Sequence, residues 1–206
     1  MPKAWVRERK RDYYYRKSKE EKYRSRAAYK LLETVKKYRF IKSGDVVVDL
    51  GAAPGGWMQA ARRIVGDKGL VLGVDVRFIE PLDFSNIQTL IGDITDSQVL
   101  ESIRGLLSGP ADVVVSDVSP NISGVWELDH ARQIDLAKRA LLIARNTMKT
   151  GGNFFVKVFQ GDMLTEFVRE VKQHFGFVKL VKPKASRAKS AEIFVLCMQM
   201  KRISEQ

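Results

Sequence analysis

This chain of 206 residues predicts a doubly wound α/β sheet, mostly parallel with one antiparallel strand and helices on both faces. Three features predict it. Short apolar runs alternate with stretches of helical period along most of the chain. The first run ends in a glycine-rich turn, as strands do where such sheets open onto a ligand. Four successive runs then carry an aspartate at or near their carboxyl ends. The length and a hydrophobic fraction of 45% suit one core in one domain.

Each element follows from its own residues. Ala28, Leu31, Leu32 and Val35 repeat at helical spacing, and Ser25 stands where a cap would. Val46–Leu50 is a short apolar strand, followed by glycines and a helix over about 56–65. Gly69–Val76 and Ile87–Ile91 read as the second and third strands, and Ser97–Leu107 as a helix. Ala111–Val118 is the fourth strand, and a long helix covers about 129–148. Gly152–Phe159 is the fifth strand, with a helix near 162–174. Phe177–Val181 and Glu192–Met200 close the chain as strands, joined by a short basic loop that has no helix, so they pair antiparallel. Strands alternating with helices argue for a parallel sheet covered on both faces. Seven strands with a final hairpin depart from the usual six-stranded nucleotide fold.

Charge divides the chain unevenly. The net formal charge is +12, and residues 1–42 alone carry 16 Lys and Arg against 5 Asp and Glu. Residues 1–24 form a basic arm ahead of a domain over 25–206, with Tyr13, Tyr14 and Tyr15 set among Arg7, Arg9, Lys10, Arg11, Arg16 and Lys17. Cations neutralise phosphates, and the rings either stack on unpaired bases or seat the arm. Lys179, Lys182, Lys184, Arg187 and Lys189 form a second cluster with no acid between them. Two such clusters point to a polyanion partner. A membrane partner is disfavoured: neither run has an apolar face, and no apolar stretch approaches the length of a bilayer span. One cysteine forms no internal disulfide, and two histidines with it are too few to suggest zinc. A cytoplasmic, metal-free monomer is expected.

The turn after the first strand reads Asp49-Leu50-Gly51-Ala52-Ala53-Pro54-Gly55-Gly56-Trp57. A dinucleotide fingerprint wants glycine at positions one, three and six. Gly51 and Gly56 fit, but Ala53 holds the middle place, and Pro54 removes a backbone donor that a pyrophosphate would use. This argues against a dehydrogenase. Asp75 ends the second strand, where an acid accepts ribose hydroxyls. Asp93 follows the third and suits an adenine amine, and Asp117 ends the fourth. With Asp49 they set several carboxylates around one crevice, which suits a cationic ligand. S-adenosyl-L-methionine is one, with a nucleoside, an amine, a sulfonium and no phosphate. Gly51, Gly55 and Trp57 join the four acids as candidate cofactor contacts.

Five segments occur in order: Ser25-Arg26-Ala27-Ala28-Tyr29-Lys30-Leu31, the turn from Asp49 to Trp57, Ser116-Asp117-Val118-Ser119-Pro120-Asn121, Phe155-Val156-Lys157-Val158-Phe159, and Ser190-Ala191-Glu192-Ile193-Phe194. Together they closely resemble the FtsJ family of ribose 2′-O-methyltransferases over about residues 24–200. The resemblance implies a Rossmann-like class I methyltransferase fold and a catalytic Lys-Asp-Lys-Glu set at Lys30, Asp117, Lys157 and Glu192. Val118-Ser119, where bacterial members often have Met-Ala, makes the chain look archaeal or eukaryotic. The implied substrate is a uridine ribose in large-subunit (23S) ribosomal RNA, within the large ribosomal subunit.

The four residues suit that chemistry. A ribose hydroxyl is a poor nucleophile and must lose its proton as it attacks a methyl carbon. An amine in an apolar strand beside a second cation can receive that proton, while two acids orient the amines and the hydroxyl. Neither His130 nor His174 stands in the setting of a hydrolase nucleophile, and both read as packing or surface residues. Two rivals remain: a transfer RNA ribose methyltransferase, and a non-catalytic RNA-binding or ribosome-assembly factor on the same fold.

Overall fold

A computed structural model describes residues 12–202. Its element order is α1 (Tyr13–Glu20), α2 (Ala28–Tyr38), β1 (Val46–Leu50), α3 (Gly56–Val65), β2 (Leu70–Asp75), β3 (Ile87–Ile91), α4 (Ser97–Leu106), β4 (Ala111–Ser116), α5 (Trp126–Thr147), β5 (Met148–Phe159), α6 (Leu164–His174), β6 (Phe175–Val181) and β7 (Glu192–Met200). The described strands form one seven-stranded sheet in the order β3-β2-β1-β4-β5-β7-β6. β7 runs antiparallel to both β5 and β6, and every other pairing is parallel. The order reverses between β1 and β4, which opens a crevice beyond their carboxyl ends.

The central strands are nearly unbroken apolar runs because both of their faces are covered. On one face Val48, Val114 and Val156 pack with Val99 and Ile103 of α4, Leu141 of α5 and Phe167 of α6. On the other, Val47, Val113 and Phe155 pack with Leu31 of α2 and Trp57 and Met58 of α3. α4 and α5 therefore lie opposite α2 and α3, as right-handed crossovers to either side of β1 require.

Two local expectations change. Ser25 does not cap α2: the N-cap is Ala27, which makes no side-chain cap bond, and the Ser25 hydroxyl packs instead against Gly56 at the start of α3. β4 stops at Ser116, so Asp117 lies just past the strand and is tied to β1 by its N–H, 3.2 Å from the Leu50 carbonyl.

Within the basic arm, residues 13–20 form α1, capped by Asp12, whose carboxylate accepts from the Tyr15 N–H at 3.1 Å. α1 is bound to α2: the Tyr14 hydroxyl donates to Glu33 at 2.5 Å, and Asp12 pairs with Arg26. Tyr23, buried, meets the Tyr29 ring edge-on. Tyr14 therefore helps to seat this segment. Arg7, Arg9, Lys10 and Arg11 lie outside the described residues.

Candidate active site

β4 and β5 deliver the centre of the site. Lys157, near the end of β5, is the only Lys or Arg buried among the described residues. Its Nζ donates to the Asp117 carbonyl at 2.7 Å and to the Ser119 hydroxyl, and it lies 3.1 Å from Asp117 Oδ1. Lys30 arrives from α2. It donates to Glu192 Oε2 at 2.7 Å and lies 3.6 Å from Asp117 Oδ2. Glu192, which opens β7, accepts from the Ser186 hydroxyl on its other oxygen at 2.9 Å. Lys30, Asp117, Lys157 and Glu192 thus form one continuous chain of ion pairs, with Asp117 between the two lysines.

That chain has an electrostatic consequence. Burial pushes the Asp117 carboxyl upward, but Lys157 and Lys30 together outweigh it and hold the group below its ordinary range. The acid is anionic and fixes both amines. Such pairs persist when partly buried because each charge has a partner.

Beside this chain lies a cleft of about 600 Å³ whose lining includes Gly51, Asp75, Asp93 and Asp117. Four of the seven expected cofactor contacts therefore share one cavity. Gly51 has φ +78°, and a Cβ there would come within 2.6 Å of Val118 Cγ2, so only glycine lets the loop pass this close to the end of β4. Asp75 accepts from the Ala53 N–H at 2.9 Å on Oδ2, and on Oδ1 from the Arg77 N–H at 2.9 Å and its Nε at 3.3 Å, which leaves one lone pair of Oδ2 for a ribose hydroxyl. Asp93 uses Oδ1 for the Thr95 N–H and hydroxyl, at 2.9 and 2.8 Å.

The other three expected contacts do not line the cleft. Trp57 is a core residue: its ring stacks on Phe155 at 5.7 Å and its indole N–H donates to the Ala27 carbonyl at 2.7 Å. Gly55 is the left-handed N-cap of α3, turned toward Arg24 and Ile79 rather than the cavity. Asp49 is buried beneath the cleft. Both of its carboxylate oxygens lack a hydrogen-bond partner among the described residues, and burial first, then Asp117 and Asp75, push its carboxyl well above the ordinary range. An orphaned buried acid under a crevice lined by three more fits a cationic ligand such as S-adenosylmethionine, whose amine or sulfonium would offset the cost of that burial.

Three positioning residues escaped the sequence reading. Ser119 holds Lys157 and Ser186 holds Glu192. Gln133, fully buried on α5, donates from one amide nitrogen to the Val118 carbonyl at 3.2 Å and the Lys157 carbonyl at 3.0 Å, clamping the ends of β4 and β5 together. The available signal was a polar residue on the apolar face of a helix. His130 is a packing residue, as expected: it stacks on Trp126, and its Nε2 accepts from the Met163 N–H at 3.2 Å. Among the described residues no group of three His, Cys, Asp or Glu side chains is placed to hold a metal, and no helix is long and apolar enough to cross a membrane.

Comparison with known proteins adds to this geometry. A ribosomal RNA large subunit methyltransferase E from Methanocaldococcus jannaschii is 51% identical over 197 residues, covering 94% of this chain and 80% of that protein. The protein of the same name from Methanothrix thermoacetophila is 54% identical over 186 residues, covering 90% of this chain and 71% of its own length. Among solved structures, one described as a ribosomal RNA methyltransferase from Plasmodium falciparum superposes with a TM-score of 0.76 at 26% identity, covering 86% of this chain and 98% of that one. A fibrillarin from Aeropyrum pernix, solved with S-adenosyl-L-methionine bound, has a TM-score of 0.60 at 19% identity, covers 85% of this chain and 75% of its own, and shares the fold. The model of the FtsJ-like methyltransferases matches residues 23–200, and the chain belongs to that family.

Proposed function

We propose that the protein transfers a methyl group from S-adenosylmethionine to the 2′-hydroxyl of a uridine ribose in large-subunit ribosomal RNA. One observation carries the reading: Asp117 both lines the cofactor cleft and holds the two lysines, so donor and acceptor chemistry meet at a single residue. Relatives near half identity that carry a ribosomal RNA name support ribosomal over transfer RNA. The unbroken chain of ion pairs speaks against a non-catalytic factor.

When bound, S-adenosylmethionine supplies a methyl carbon made electrophilic by its sulfonium. Asp75 and Asp93 would hold the nucleoside, while Asp117 would face its positive charge and Asp49 would act on that charge from beneath the cleft. Lys157 Nζ, as the free amine, would take the hydroxyl proton and be left as an ammonium beside Asp117, its place fixed by Asp117 and Ser119. Lys30, pinned between Asp117 and Glu192, keeps a second positive charge near the oxygen as it gains electron density. Most of the catalytic work is alignment: the fold brings a weak nucleophile within reach and holds it in line.

The test is methyl transfer to ribosomal RNA from labelled S-adenosylmethionine, with the product mapped by alkali-resistant linkages. Label is expected on a ribose. Lys157→Ala should lower single-turnover transfer by about 10²–10⁴-fold, the usual contribution of a positioned proton acceptor. Cofactor binding by that variant should persist. Label on a base, or near-normal transfer by Lys157→Ala with cofactor bound, would overturn the proposal.

A further inference from the structure

We propose that a second, cationic pocket between α1, the turn at residues 24–26 and Arg187 seats a phosphate-bearing nucleotide of the RNA strand beside the target ribose. The inference rests on the reading that the substrate is RNA, and it adds a contact that sets the strand's register. The pocket holds about 340 Å³, at the small end of ligand cavities, and four cations and one carboxylate line it. The carboxylate, Asp12, is already committed, capping α1 and pairing with Arg26. Arg24 donates to the Pro54 carbonyl at 3.3 Å, to the Pro81 carbonyl at 2.7 Å and to the Glu80 carbonyl, all of them neutral groups. Lys19 and Arg187 are exposed, and neither has an acidic partner among the described residues. Three positive charges therefore face one small cavity with no acidic partner among the described residues, and such a cavity suits a phosphodiester.

The walls and the position narrow the ligand to a nucleotide. Tyr15 contributes an aromatic ring, with Lys19 Nζ 5.8 Å from its centroid, and a ring beside a cation suits a base next to its phosphate. Arg26 lies in the turn just ahead of α2, four residues before Lys30. Arg26 also binds the Ala185 carbonyl, and the next residue, Ser186, holds Glu192. On the other side, Ala53 lines the cofactor cleft while Pro54 lines this pocket, so the glycine turn divides the two. A strand with its ribose at Lys157 passes over the pocket with its neighbouring nucleotide.

The double variant Lys19→Gln, Arg187→Gln tests this, because neither residue touches the cofactor cleft or the four ion-paired residues. Binding of a fluorescein-labelled oligoribonucleotide is measured by anisotropy across salt, beside KM for ribosomal RNA, kcat and S-adenosylmethionine affinity. Oligonucleotide affinity should fall about tenfold, and the slope of log affinity against log salt should shrink by about 1.4, at roughly 0.7 for each single-strand phosphate no longer neutralised. KM should rise while kcat and cofactor affinity hold. Tyr15→Leu should weaken binding with the slope unchanged; unaltered affinity there would remove the base from the pocket. An unchanged slope and KM in the double variant would overturn the whole inference. Should oligonucleotide binding respond as expected while the wild-type protein methylates no ribosomal RNA, the pocket stands and the proposed activity fails.

Discussion

Asp117, which lines the cleft, and Asp49, buried beneath it, depart from the ordinary carboxylate range in opposite directions, because only one of them has partners. Asp117 is surrounded by amines and is held low, so its contribution to stability is present above its unfolded pKa and lost as pH falls through the folded value. Asp49 is buried without a donor and is held high. The folded protein therefore binds its proton more tightly than the unfolded chain does, and stability is lost as pH rises from the unfolded pKa through the raised one. Asp49→Asn should accordingly melt higher than the wild type at neutral pH and show a flatter melting profile between pH 4 and neutrality, about where unfolded carboxylates titrate. The same variant should bind S-adenosylmethionine more weakly, as isothermal calorimetry would show. A lower melting temperature at neutral pH would mean that the buried carboxylate has a partner.

At the scale of elements, α5 shows how a helix remote from the chemistry can govern it. Gln133 ties this helix to Val118 and Lys157 through two hydrogen bonds to main-chain carbonyls. Gln133→Leu keeps the volume and loses both bonds, at a cost of about 1–3 kcal/mol from a net worth of roughly 0.5–1.5 kcal/mol each. Denaturant melting reads that loss. If the clamp positions Lys157, kcat should fall further than KM rises. The strands were legible in the sequence because Val46–Leu50 and Ala111–Ser116 are apolar runs too short for helices. α1 was not, because residues 13–20 are mostly charged or aromatic and form a helix against α2 through Tyr14 and Asp12 rather than through an apolar stripe. Ser25 failed as a cap for a related reason: its side chain packs against Gly56, a contact made across the fold.

For the whole molecule, the charge is concentrated at one end, and the proposed RNA substrate should feel it. The described body begins at Asp12, and residues 1–11 bring five cations and one acid to it. Removing them should reduce the salt slope of RNA binding by about 3–4, at roughly 0.7 for each single-strand phosphate they neutralise. Thermal melting of the shortened protein shows whether the body stays folded. An unchanged slope would take these residues out of RNA binding.

Periodicity was enough to read the sheet and its antiparallel strand, because both depend on residues close together in the chain. The acids and glycine at the strand ends picked out Gly51, Asp75, Asp93 and Asp117, which line one cleft. Local pattern could not separate Trp57 in the core from a cofactor contact, since a ring after a glycine turn serves either role until its neighbours are known. Nor could it find Ser119, Ser186 or Gln133, whose positioning depends on hydrogen bonds closed by the folded chain. Lys30 and Glu192 lie 162 positions apart and their amine and carboxylate 2.7 Å apart. A pairing of that kind is decided only when the strands and helices pack.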